Sequence, residues 1–101
     1  MHLACYKDAA NYVITQYNRI KNQDITHLKA CLANGDPFVF GFMVYDNWYN
    51  NNPPNTHIPL PGPNDKLVAG HAVLCVGYDD RTQLFRIRNS WGDQVGDKGY
   101  F

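Results

Sequence analysis

The chain has 101 residues, of which 45% are hydrophobic and 18% charged, a folded globular composition and not a disordered one. Nine basic and nine acidic residues cancel to a formal charge of +0, so there is no electrostatic footprint for nucleic acid or an anionic membrane. All nine acids are Asp, which excludes paired-Glu chemistry, the Glu-based zinc motifs and the EF-hand loop. No apolar run approaches the roughly 18–20 residues that span a bilayer, and Met1–Tyr6 shows no basic region leading into an apolar stretch, so no signal peptide is expected. Cys5, Cys31 and Cys75 form no C-x-x-C pair, and an odd count argues against a disulfide framework. His2, His27 and His57 have no ligand spacing, so no metal or cofactor is expected.

In chain order, Tyr12–Tyr17 is β-branched and aromatic and reads as a strand. Asp24 is a good N-cap for a helix of about ten residues carrying an apolar stripe at Ile25, Leu28 and Leu32, with Cys31 beside it. Asn34, Gly35 and Pro37 stop that helix. Phe38–Tyr45 reads as a second strand, with Gly41 marking a bulge or a close approach. From Asp46 to Gly70 the chain holds Asn50, Asn51 and Asn52 in a row and Pro53, Pro54, Pro59, Pro61 and Pro63, which predicts one long irregular loop. At its start, Tyr45, Trp48 and Tyr49 suit a partial core or a peptide-contacting rim. Ala72–Tyr78 reads as a strand, Asp79–Thr82 as a turn and Leu84–Arg88 as the returning strand.

A hairpin turning near Asp80 and Arg81 makes His71 and Asn89 direct or diagonal cross-strand neighbours. Alternation puts His71, Val73 and Cys75 on one face, and Phe85, Ile87, Asn89 and Trp91 on one face of the return strand. A carboxamide oxygen beside an imidazole N–H fixes the ring's tautomer, and an indole on the same face shields that bond. His71 is therefore a candidate general base, against the alternative of an ordinary half-buried strand histidine.

Gly70-His71-Ala72-Val73, Val76-Gly77-Tyr78-Asp79, Arg88-Asn89-Ser90-Trp91-Gly92 and Gly96-Asp97-Lys98-Gly99-Tyr100 together resemble the C-terminal half of the papain-like cysteine peptidases. Leu28–Pro37 and Phe40–Tyr45 resemble the helix and first barrel strand of that half. The resemblance implies an α+β fold, an antiparallel and partly barrel-like sheet with one short helix, over residues 1–101 as one half-domain. It implies that His71 is the catalytic histidine, Asn89 its orienting asparagine and Trp91 the shield, with Ala69, Gly70 and Ser90 lining the cleft. It implies a peptide or protein substrate, attacked by a cysteine thiolate.

That cysteine belongs to a C-G-[SA]-C-[WY] segment, for which this family is a standard example, and no such segment occurs in these 101 residues. No nucleophile is expected here: Cys31 lies on the helix stripe, Cys5 has no motif around it, and Cys75 is roughly 13 Å along the strand from His71 at about 3.3 Å per residue. The chain is expected to supply the base and its orienter, to be inactive alone, and to pair with a Cys-bearing N-terminal half, or with itself through an exposed apolar face near His71 and Trp91. A non-catalytic peptide- or peptidase-binding module on the same fold is the alternative. Val95 stands where the family pattern carries a second Trp, leaving less apolar surface beneath the motif.

Overall fold

The computed structural model describes residues 1–51 and 54–101. Its elements are α1 (Leu3–Ala9), α2 (Ile25–Ala33), β1 (Phe38–Tyr45), α3 (Asp46–Tyr49), β2 (Leu67–Asp79) and β3 (Leu84–Arg88). The three strands form an antiparallel sheet in the order β1-β2-β3, so the architecture is α+β. Helix α2 forms as its signals require. The Asp24 carboxylate accepts the His27 backbone N–H at 3.1 Å, and Gly35 ends the helix at φ +89, a conformation cheap only for glycine. Its stripe is narrower than expected, because Leu28, Cys31 and Leu32 are half-buried while Ile25 stays exposed. Lys29 docks the helix on the hairpin through an ion pair with Asp80 and through the Tyr78 ring, 5.4 Å away.

The expected strand at Tyr12–Tyr17 does not form. The segment is irregular, with Tyr12, Ile14 and Tyr17 80%, 82% and 90% exposed. A strand preference reports fit to a pleated, half-buried surface, and no described strand pairs with this segment. Two helices were unexpected, α1 and α3. The latter occupies the start of the presumed loop, whose end, from Leu67, is drawn into β2; Asn52 and Pro53, also in that loop, lie outside the described residues. The irregular chain between α3 and β2 is held by three consecutive residues of α3. Asp46 Oδ1 accepts from Lys66 N at 2.9 Å, Asn47 Nδ2 donates to Leu60 O at 3.1 Å, and Trp48 Nε1 donates to Asn55 O at 2.8 Å.

Strand β1 pairs with β2 from Phe38↔Cys75 to Phe42↔His71 and on to Tyr45↔Leu67. Strand β2 meets β3 in two registers, Asp79↔Leu84 to Gly77↔Arg86 near the turn and Cys75↔Ile87 and Leu74↔Arg88 beyond it, with a bulge between Cys75 and Gly77. At the turn, the Asp79 carboxylate accepts from the Arg81 guanidinium and from Arg81 N, which holds its pKa below the ordinary carboxylate range. The last residues return along β3. Ile87 and Phe101 exchange backbone hydrogen bonds at 2.8 and 3.0 Å, and Asn89 N donates to Gly99 O at 3.0 Å.

Among the described residues the buried apolar core is small: Val44, Trp48, Val73, Cys75 and Ile87. Full burial of a large apolar side chain is worth about 1.5–3 kcal/mol, so each of these matters. Beside it an open apolar trough of about 580 Å³ runs between Phe40, Phe42, Tyr78, Phe85 and residues 56–58. The returning tail depends on Gly96, at φ +68, where an added Cβ would meet Tyr100 O at 2.5 Å and the Phe101 ring at 2.7 Å. Gly35 also has positive φ but open space around it. Gly35→Ala is therefore expected to cost about 1–2 kcal/mol from conformation alone, and Gly96→Ala about 2–5 kcal/mol once overpacking is added. Urea unfolding of the two variants measures the difference.

Candidate active site

His71 is carried by the middle strand. Extending the Leu74↔Arg88 pairing three residues further sets His71 level with Trp91 and diagonal to Asn89. The side chains meet accordingly. His71 Nε2 lies 2.8 Å from Asn89 Oδ1, and the imidazole stacks on Trp91 with centroids 5.1 Å apart at 21°. Ser90 N donates to the same Asn89 Oδ1 at 2.8 Å. That second donor decides how the carboxamide is turned, since its NH₂ group cannot accept a hydrogen bond. The oxygen therefore faces the ring, Nε2 carries the hydrogen, and Nδ1 is left as the free lone pair. Asn89 is 8% exposed, and its Nδ2 is buried with no partner among the described residues.

The residues singled out in the sequence divide as follows. Ala69, Gly70, His71 and Trp91 line one depression of about 180 Å³, closed by Val44 and Tyr49. Ser90 does not line it; its backbone N–H orients Asn89 instead. Val44 and Tyr49 were not singled out as site residues. The inward alternation of β1 was the signal for Val44, and the aromatic cluster at the loop's start was the signal for Tyr49. Within that cluster Trp48 is core, at 1% exposure, and Tyr49 is rim, at 53%.

The cysteines stay apart from the histidine pair. Cys75 is fully buried on the same strand four residues on, and burial pushes its thiol pKa up, the wrong direction for a nucleophile. Cys31 is half-buried with Sγ 3.3 Å from Asp36 O, and Cys5 is exposed on α1. Among the described residues no group of three or more His, Cys or Asp side chains is placed to hold a metal ion, and no helix is long and apolar enough to cross a membrane.

A family profile described as papain family cysteine protease matches residues 2–101. The chain belongs to this family. Its fold superposes on the crystal structure of xylellain, a cysteine protease from Xylella fastidiosa, with a TM-score of 0.88 and 64% identity over 99% of this chain. An uncharacterized peptidase C1-like protein of Acanthamoeba polyphaga mimivirus is 37% identical over 78 residues, 76% of the chain. A cathepsin B-like cysteine proteinase of Caenorhabditis elegans is 28% identical over 98 residues, 95% of the chain. The chain spans 37% of the xylellain chain and 25% of each of the other two relatives.

The hydrogen-bond pattern makes a spectroscopic prediction. Neutral His71 is expected to be protonated at Nε2 and not at Nδ1, as read from its two imidazole ¹⁵N shifts, and Asn89→Ala is expected to abolish that preference. Equal ¹⁵N shifts in the unaltered protein would mean that the Asn89 bond does not set the tautomer.

Proposed function

We propose that these residues form the histidine-bearing half of a papain-type cysteine peptidase. The observation that carries the reading is the doubly engaged Asn89 Oδ1, which leaves His71 Nδ1 as a fixed, unbonded base beside the depression. In this reading Nδ1 takes the proton of a cysteine thiol from outside these 101 residues. The thiolate attacks the carbonyl carbon of a peptide bond, and the imidazolium returns the proton to the departing amine nitrogen. Water, deprotonated by the same Nδ1, then hydrolyses the thioester and frees the thiol and the carboxylate. Asn89 keeps the ring from turning Nδ1 away through the cycle, and Trp91 covers one face of the ring.

The placement of Cys5, Cys31 and Cys75 away from the site supports a nucleophile elsewhere, as does the span of the chain relative to its family. Substrates in this reading are peptides or proteins, and the primary partner is the segment that bears the cysteine. Near the site Met43, strand partner of Gly70, is 63% exposed and Tyr49 53%. Without that partner, apolar surface of this kind favours association between copies of the chain.

The isolated chain is expected to hydrolyse no fluorogenic peptide. Joined to its Cys-bearing segment it is expected to hydrolyse one, with turnover stopped by a thiol alkylator and lowered about 10²–10⁴-fold by His71→Ala. Asn89→Ala should cost less, because the base remains. Full activity in the His71→Ala variant, or alkylator-sensitive turnover by the isolated chain, overturns the assignment. Light scattering on the isolated chain is expected to give a mass that rises with concentration; a constant monomer would count against an exposed partner face.

A further inference from the structure

We propose that Trp48 is a positioning residue for His71, and that through it the loop after α3 is coupled to the imidazole. The inference rests on His71 being the working base, but its geometry stands by itself. His71 is flanked by two rings, Trp91 at 5.1 Å and 21° and Phe42 at 6.0 Å and 64°. Trp48 touches both of them, stacking on Trp91 at 5.3 Å and 24° and meeting Phe42 at 6.0 Å and 45°. The four rings therefore close a circuit in which Trp48 sits opposite the imidazole and backs each of its supports.

Trp91 is met edge-on by Tyr49 at 6.5 Å and Phe101 at 6.3 Å, but apart from His71 the ring stacked on it is Trp48. Trp91 is half-buried, it lies beyond the end of β3, and Gly92 after it has φ +95. The buried body beneath it is Trp48, at 1% exposure, with Phe101 edge-on to Trp48 at 5.4 Å and 90°. Trp48, from another element, thereby lays a second indole against Trp91.

The same side chain has one polar atom, and that atom holds the loop. Asp46, Asn47 and Trp48 grip the chain at Lys66, Leu60 and Asn55 in turn. Of these three, Trp48 alone is also in the ring circuit, so a displacement of the chain at Asn55 reaches the imidazole through Nε1, the two indoles and their stacking.

The test uses the native polypeptide carrying these residues, with labelled histidine. Stacked indoles shift the His71 Cε1–H resonance upfield. Trp48→Leu is expected to return that resonance most of the way to its unstructured position and to erase the Nε2 tautomer preference. Trp48→Phe keeps a ring but is smaller and has no N–H; it is expected to move the resonance part-way and to speed proteolytic cleavage within residues 54–60. Asn47→Ala, which loosens the loop only at Leu60, should leave His71 where it is. In peptide hydrolysis, Trp48→Phe should lower kcat several-fold with little change in KM. A folded Trp48→Leu with unchanged His71 resonances overturns the proposal. If Trp48→Leu does not fold, unchanged His71 resonances in Trp48→Phe overturn it equally. Resonances that move, in a Cys-bearing polypeptide that hydrolyses peptide equally well with His71→Ala, leave the coupling standing and remove the reading of His71 as a base.

Discussion

The carboxamide oxygen of Asn89 accepts two hydrogens, one from the next residue's backbone and one from the imidazole across the hairpin. The backbone donor comes at little cost in chain entropy, since it is adjacent, and it fixes which end of the side chain faces the imidazole. The Asn89 backbone is pinned in turn by its N–H to Gly99 O, so the tail is part of the support. The other end of the carboxamide, Nδ2, is buried and has no partner among the described residues.

Site and core are the same material in this molecule. Trp48, Val44 and Val73 are among the five buried apolar residues, and each lies in contact with or beside the residues around His71. With so few buried side chains, the energy that holds the sheet together is the energy that holds the imidazole. Aromatic pairs add about 0.5–1.5 kcal/mol beyond their area, and that contribution is concentrated on one side of the sheet. The larger trough lies along β3 and the turn, with His71, Asn89 and Trp91 outside its lining.

Much of this was legible in the residues. The limits of β1 and β3 follow from apolar runs bounded by Pro37, Asp46 and the Asp79–Thr82 turn, and α2 follows from its cap and stop. The meeting of His71 with Asn89 was expected from alternation and turn position, but it also needs the bulge between Cys75 and Gly77, which nothing in the spacing announced. Other features were not legible, for different reasons. Tyr12–Tyr17 has strand composition but no described partner, and composition says nothing of partners. Helix α3 is a single turn of four residues whose reason for existing is tertiary: it presents Asp46, Asn47 and Trp48 to a loop that returns from far along the chain. The indole stack is a product of three-dimensional packing, and no spacing rule encodes it.

The bulge between Cys75 and Gly77 has a consequence for how this hairpin can change over evolutionary time. The pairing next to the turn, Asp79↔Leu84, if continued unbroken along β2, would set Ser90 and Gly92 on the His71 face and send Asn89 and Trp91 to the other side. One extra residue in β2 corrects the parity. Gain or loss of a residue at the tip lengthens or shortens the turn and leaves the register alone; what would separate the histidine from its asparagine is Val76 entering the ladder opposite Ile87. The constellation therefore depends on one residue that carries no chemistry, and a change that drew Val76 into the ladder would break the site with every one of its side chains still spelled out in the gene.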